Sequence, residues 1–172
     1  GDCATAPSVS IRHKLSRKVM QNLLIVYHSH TGNTAQLAAA AYQGATQEAY
    51  PDLFVRLLQA QEATADDLLW ANGLLVGTPE NFGYMSGLIK DFFERTFYAV
   101  EGKLAPLPYA MFICAGNDGT GAVTSIERIA RGYPLIPVQE ALICRGPVDE
   151  QALADCNALG AALAAGLDLG IF

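Results

Sequence analysis

The feature that most constrains the fold is a regular alternation of short apolar runs and helix-like stretches along residues 23–168. The apolar runs are rich in Leu, Ile and Val without polar interruptions, which is typical of strands buried on both faces. Helical periodicity follows each run, and this order of elements favours parallel β-α-β units over a sandwich or a helical bundle. The sequence therefore predicts one α/β domain with five strands and five helical segments.

The predicted elements can be placed along the chain. We expect strands at residues 23–27, 53–55, 74–77 and 109–114, and a last extended segment that ends at 141–144. Four of the five helical segments are placed at about 34–47, after Ser86, from about Gly121 and from Asp149 onward. Ser86 is expected to cap its helix, and acidic residues at 149–150 suit the positive end of a helix dipole.

Charge is distributed unevenly along the chain. The sequence has 17 acidic and 11 basic residues, but residues 1–21 hold four of the basic residues and one acid, which leaves 16 acids against 7 bases in residues 22–172. The net charge of residues 22–172 is thus about −9. Such a surface argues against a nucleic-acid partner, because phosphate groups require a basic face. It suits a basic protein partner or simple solubility.

Residues 1–21 are predicted to be a flexible basic leader, and residues 22–172 a single folded domain. The apolar residues of positions 1–19 follow no sustained period, and the first strand-like run begins at Leu23. Met20 directly precedes that run. We therefore weigh a start site placed too far upstream, or Gly1 as a remnant of cloning, against a genuine basic tail.

Cysteine, histidine and hydropathy patterns predict a cytoplasmic protein that binds no metal. Cys3, Cys114, Cys144 and Cys156 form no C-x-x-C pair, so neither a zinc site nor a dithiol motif is indicated. Reduced thiols are typical of the cytoplasm. The three histidines are not spaced as metal ligands. No unbroken apolar run approaches roughly 18 residues, so we expect no membrane insertion.

A polar loop follows the first predicted strand and leads directly into a helix. In an open parallel sheet, ligands bind at the carboxyl ends of strands, where the strand order reverses. The hydroxyls, the glycine and the N–H groups of the helix start together form a cradle for an anion. The loop has no Lys and matches neither the P-loop nor the G-x-G-x-x-G pattern, so both nucleotide-binding classes are excluded. It consists of Ser29, His30, Thr31, Gly32, Asn33 and Thr34.

Two more polar, glycine-containing loops follow the third and fourth predicted strands. The first of them is also aromatic and runs Pro79, Glu80, Asn81, Phe82, Gly83, Tyr84. The second runs Ala115, Gly116, Asn117, Asp118, Gly119, and its glycines free main-chain N–H groups to approach a flat polar ring. The alternatives are an ordinary capped turn after the first strand, aromatic residues that merely cover the sheet edge, and a solvated Asp118.

These loops resemble those of the flavodoxin-like superfamily, which includes flavodoxins and NAD(P)H:quinone reductases. The [ST]-x-T-G-x-T spacing from Ser29 is similar to the phosphate loop of flavodoxins, and the G-T-P-x-x-F-G stretch from Gly77 is similar to a loop that borders the flavin ring in the reductases. The resemblance covers residues 22–168. It implies a doubly wound, five-stranded parallel sheet in the order 2-1-3-4-5, with helices on both faces, and one non-covalently bound FMN.

The resemblance also implies a role for each loop. Residues 29 and 31–34 would contact the FMN phosphate, whereas His30 would either approach it or face water. Residues 79–84 would meet the flavin ring, with backbone groups near its N5 and O4 atoms. Residues 115–119 would bond the pyrimidine edge of the ring, and the negative charge of Asp118 would lower the reduction potential.

Access to the flavin face distinguishes two functions. Residues 115–121 contain no aromatic side chain, and the single tryptophan, Trp70, precedes the third strand. An open face would admit nicotinamide or quinone, so we predict an NAD(P)H-dependent reductase of quinones or similar acceptors, with flavin N5 rather than a side chain as the reacting centre. The alternative is a flavodoxin-type electron carrier that docks a basic redox partner. A third class, an interaction module without cofactor, requires all three loops to be accidental. A homodimer is an open expectation.

Overall fold

The computed structural model describes residues 19–172, so most of the predicted leader lies outside the described residues. The first two described residues are exposed, and the first strand begins directly after them. The strands are β1 Gln21–Tyr27, β2 Leu53–Gln59, β3 Gly73–Asn81, β4 Tyr84–Met85, β5 Leu107–Ala115, β6 Leu135–Pro137 and β7 Leu142–Arg145. The helices are α1 Asn33–Thr46, α2 Ala65–Trp70, α3 Gly87–Val100, α4 Thr120–Gly132 and α5 Glu150–Leu169.

The parallel strands follow the predicted order. The sheet runs β2-β1-β3-β5, and β6 and β7 both pair with β5 at its far edge. If β5 is counted as the fourth strand and β6 together with β7 as the fifth, this is the predicted order 2-1-3-4-5. The fifth position is split, because β6 pairs with the first part of β5 and β7 with its last part, and residues 138–141 separate the two. Pro137, which ends β6, has no N–H to continue the ladder.

The predicted third strand is longer than expected and turns back on itself. β3 runs to Asn81 and pairs with β4 as an antiparallel hairpin. The two residues between these strands, Phe82 and Gly83, have φ angles of 52° and 69°. Two consecutive positive φ angles are the geometry of a type I′ hairpin turn. The polar stretch expected to be a loop is therefore mostly a β-hairpin.

Helices cover both faces of the sheet, as predicted. Successive residues of β1 point to opposite faces, because the side chains of a strand alternate. Leu23 and Ile25 pack in a core with α1 and α5. Leu24 and Val26 pack in a second core with α2, α3 and α4. The sheet is thus buried on both faces, which explains its unbroken apolar runs.

The helix termini agree only partly with the sequence. The Asp149 carboxylate caps α5 by accepting a hydrogen bond from the Ala152 N–H at 2.8 Å, as expected. Ser86 precedes α3, but its hydroxyl forms no capping bond and is buried without a partner, so the expected cap is wrong. The Ser86 N–H instead donates to the Thr78 hydroxyl at 3.0 Å. This bond ties the start of α3 to β3.

α1 and α5 pack in unusually close contact through two glycines. A Cβ atom on Gly160 would lie 1.9 Å from the Ala41 carbonyl oxygen, and one on Gly44 would lie 1.9 Å from the Asn157 carbonyl oxygen. α5 is the one helix of residues 19–172 that is long and apolar enough to cross a membrane. Cys156 and other residues of this helix are buried against α1 and the sheet, and its apolar character therefore serves the core. We interpret α5 as a core helix.

Candidate functional site

A cavity of about 620 Å³ opens at the carboxyl ends of β1, β3 and β5. It lies where the strand order reverses between β1 and β3. Its volume falls within the range of small-molecule sites, roughly 300–1,000 Å³. A larger groove of about 870 Å³ is lined by residues of α1 and α5. The predicted residues that line the cavity are His30, Thr31, Asn33, Thr34, Pro79, Asn81, Ala115 and Gly116.

The start of α1 is open to an anion. Its N-cap residue, Gly32, has a φ of 99° and supplies no side-chain capping bond. The Ser29 hydroxyl accepts a hydrogen bond from the Gly32 N–H at 3.1 Å and so closes the loop on itself. The N–H groups of the first helical turn have no partner within the helix. Together with the positive end of the helix dipole, they favour a phosphate at this point.

The start of α4 has a similar glycine cap but is already occupied. Gly119 precedes α4 with a φ of 86°. One carboxylate oxygen of Glu80 accepts a hydrogen bond from the Gly119 N–H at 3.0 Å, and the other accepts one from the Ala122 N–H at 3.2 Å. The carboxylate thereby neutralises this helix end. Of the two helices, only α1 leaves its N-terminus free for an anionic ligand.

This arrangement gives Glu80 and Gly119 a structural part. Their polar groups bond to each other and hold the hairpin against α4. Their contact with the flavin ring stays a prediction. A Cβ atom on Gly121 would lie 2.0 Å from the Gly83 carbonyl oxygen, so the backbones of the helix and the turn are also in direct contact. The hairpin and the loop after β5 therefore form one rigid wall.

The aromatic residues of the hairpin do not cover the sheet edge. Phe82 is fully exposed at the tip of the turn, next to the cavity-lining Asn81, and Tyr84 is 42% exposed. A left-handed conformation costs a residue other than glycine roughly 1–2 kcal/mol. An exposed aromatic ring held in a strained conformation fits contact with a planar ligand better than it fits packing.

The loop after β5 is exposed and carries one acid and one neighbouring base. The Asp118 carboxylate accepts a hydrogen bond from the Thr120 hydroxyl at 2.6 Å. Asp118 therefore stabilises the loop and also places a negative charge near the cavity. Its carbonyl oxygen accepts a hydrogen bond from Arg145 Nε at 2.9 Å. Gly116, Asn117 and Asp118 are exposed, and residues 115–121 contain no aromatic side chain.

Several lining residues were not predicted. They belong to the loop after β7, to α1 and to the end of β5, and they are Gln36, Cys114, Gly146, Pro147 and Val148. The strand-end rule used for the other loops would have found residues 146–148, because β7 ends at the same edge. Burial raises the pKa of the Cys114 thiol, while its hydrogen bond with Thr34 acts in the opposite direction. The thiol therefore stays protonated beside the anion cradle.

The histidines of the first loop differ in environment. His28 is half-buried, and its Nδ1 atom is buried without a partner. Burial lowers the pKa of His28, and the neighbouring His30 lowers it further. His30 is exposed and lines the cavity. Within residues 19–172, no three His, Cys, Asp or Glu side chains are arranged to hold a metal ion.

Comparisons with known proteins agree with this geometry. A family model described as NADPH-dependent FMN reductase matches residues 22–141. A flavodoxin of Aquifex aeolicus is 35% identical over 102 residues, which are 59% of this chain and 54% of that protein. An NAD(P)H dehydrogenase (quinone) of Acidithiobacillus ferrooxidans is 29% identical over 126 residues, 62% of this chain and 63% of that protein. The chain thus spans between half and two thirds of the length of these relatives.

Solved structures show the same fold. A flavodoxin from the domain Archaea superposes with a TM-score of 0.74 at 22% identity, covering 86% of this chain and 99% of that one. Oxidised Flavodoxin 1 from Bacillus cereus superposes with a TM-score of 0.71 at 16% identity, with the same coverage of 86% and 99%.

Proposed function

Because the chain belongs to the NADPH-dependent FMN reductase family, within the flavodoxin-like superfamily, we propose that it is an FMN-dependent NAD(P)H oxidoreductase that reduces quinones or similar small acceptors. FMN is the cofactor of this family, and the site fits it. The uncapped start of α1 suits the phosphate, and the exposed residues 116–118 suit the polar edge of a flat ring.

Each wall of the cavity has a task in this proposal. Thr31, Asn33 and Thr34, with the N–H groups of α1, would hold the phosphate. The hairpin and the loop after β5 would orient the ring, and Glu80 keeps these two segments in fixed relation. When bound, FMN supplies the electron transfer between nicotinamide and acceptor. The protein contributes position and charge.

The observation that carries the proposal is the uncovered loop after β5. Gly116, Asn117 and Asp118 are exposed, and no side chain of the described residues forms a lid over them. A second planar molecule could therefore stack on a flavin at near-attack distance, about 3–3.5 Å. Electron transfer from a nicotinamide would then require no protein partner.

The test is to mix the FMN-loaded protein with NADPH or NADH in the absence of oxygen. We expect the flavin absorbance to bleach rapidly, in one phase equivalent to two electrons. A small quinone should then restore the colour over many cycles. If neither nucleotide reduces the flavin while dithionite does, the proposal is wrong.

A second candidate is a flavodoxin-type carrier that docks a basic redox protein. It is favoured by the 35% identical relative that is a flavodoxin and by the acid excess of residues 22–172. A carrier would be inert to both nucleotides and would be reduced in two separate one-electron steps during dithionite titration. It would also exchange electrons with a basic protein at a rate that falls steeply with salt.

A further inference from the structure

Arg145 is the one arginine or lysine of residues 19–172 that stands at the carboxyl end of a strand. It ends β7 in register with Ala115, the last residue of β5. Ala115 and Gly146, its neighbours across the sheet and along the chain, both line the cavity. The Arg145 side chain is exposed and forms no ion pair with another described residue. Its positive charge therefore lies beside two cavity-lining residues and is paired with no carboxylate of residues 19–172.

Arg145 also fixes the loop that borders the cavity. Its Nε donates to the Asp118 carbonyl oxygen at 2.9 Å, and the N–H of the same peptide unit, that of Gly119, donates to Glu80 at 3.0 Å. The C=O and N–H of a trans peptide point in opposite directions, so this peptide is held from both sides. The next residue after Arg145 adds a third link, because the Gly146 N–H donates to the Ala115 carbonyl oxygen at 2.9 Å.

We propose that Arg145 is a positioning residue of the flavin site that also raises the affinity for the reduced cofactor relative to the oxidised one. The inference rests on the proposed function, since it requires FMN in this cavity. Reduction adds electrons to the ligand, so a cation at the rim stabilises the reduced form more than the oxidised form. The carboxylates of Asp118 and Glu80 act in the opposite sense, and Arg145 offsets them.

The test compares the affinities of the wild-type protein and the Arg145→Gln variant for oxidised and reduced FMN. The affinity for oxidised FMN is measured by fluorescence titration. The affinity for reduced FMN is then calculated from the midpoint potentials of the free and the bound cofactor. We expect Arg145→Gln to weaken reduced FMN threefold to tenfold more than oxidised FMN; a tenfold difference corresponds to about 30 mV for a two-electron couple. The difference should shrink at high salt, because the charge is exposed.

Two variants separate charge from geometry. Arg145→Lys keeps the charge but loses the planar guanidinium, so both affinities should fall while their ratio stays near the wild-type value. Arg131→Gln removes the same charge from the last turn of α4 and should leave the ratio unchanged. Melting temperatures of all variants check folding.

Two results would overturn the inference. One is an equal loss of affinity for both redox states in Arg145→Gln, which would mean a structural role only. The other is an altered ratio with FMN but not with riboflavin, which would place Arg145 at the phosphate. A wild-type protein that binds no FMN would refute the proposed function itself, whereas FMN binding with an unchanged ratio refutes the role of Arg145 alone.

Discussion

A single carboxylate distinguishes the two glycine-capped helices at the site. The starts of α1 and α4 have the same left-handed glycine cap, yet Glu80 fills only the second. The sequence predicts ligand contacts in both loops, but no local pattern in it tells which helix end is free. Glu80 and Ala122 are 42 residues apart, and their contact depends on how the hairpin meets α4. Such long-range pairing leaves no local signal.

The cradle at α1 can be tested by removing two hydroxyls. In the Thr31→Ala/Thr34→Ala double variant we expect FMN affinity to fall at least tenfold, because a hydrogen bond to a charged group is worth roughly 1.5–3 kcal/mol. Riboflavin affinity should change little, since riboflavin has no phosphate. Thr46→Ala, near the far end of α1, is the matched control and should bind FMN like the wild-type protein. Equal losses for both ligands would show that this loop does not hold the phosphate.

The lowered pKa of His28 predicts a pH dependence of stability. The folded protein binds a proton at His28 less readily than the unfolded chain does. Stability from this residue is therefore full above the unfolded pKa of about 6.5 and declines as the pH falls below it. His28→Leu should lose less unfolding free energy between pH 7.5 and 5.5 than the wild-type apoprotein in urea titrations. An identical pH dependence in both proteins would contradict the assignment.

At the scale of elements, the hairpin is where sequence and structure differ most. Polar residues after Gly77 resemble a loop in sequence, but Pro79 stays in register with Cys114 of β5 and the strand continues. Neighbouring strands decide this pairing, and local composition does not reveal it. Unbroken apolar runs predicted the buried parallel strands, whereas their order was implied by the resemblance to the flavodoxin-like superfamily.

Glu80 should stabilise the junction of the hairpin and α4. Glu80→Ala removes both acceptors of the α4 N-terminus, and we expect a loss of about 1–2 kcal/mol in unfolding free energy, as for other N-cap deletions. FMN affinity should fall as well, because the wall of the cavity loosens. Glu62→Ala, an exposed acid in the turn after β2, is the control for charge. A variant with wild-type stability and affinity would show that the two hydrogen bonds contribute nothing in solution.

The contact of α1 with α5 should be intolerant of a methyl group. Gly160→Ala places a Cβ 1.9 Å from the Ala41 carbonyl oxygen, so the helices must separate. We expect a cost of about 1–3 kcal/mol in urea unfolding, as for other overpacked sites. Gly132→Ala in α4 is the matched control, since a Cβ there meets nothing within 4 Å. It should be neutral or stabilising by up to about 1 kcal/mol. Similar effects at both positions would argue against the close helix contact.

At the scale of the whole molecule, the fold directs three separate stretches of sequence to one edge. The stretches 29–34, 79–84 and 115–119 are far apart in the chain, and the carboxyl ends of β1, β3 and β5 bring eight of their residues to the lining of one cavity. The strand-end rule predicted this convergence, though not the loop after β7 or the thiol of Cys114, which complete it. Arg145 is the one arginine or lysine of residues 19–172 that ends a strand at this edge.

The central claim is that this cavity binds FMN through its phosphate, and the most direct test is titration of the purified apoprotein with FMN and with riboflavin. We predict that FMN fluorescence is quenched on binding, that the visible flavin spectrum shifts, and that FMN binds at least tenfold more tightly than riboflavin because only FMN engages the open start of α1. A protein that binds neither flavin, or that binds both equally, would contradict this account.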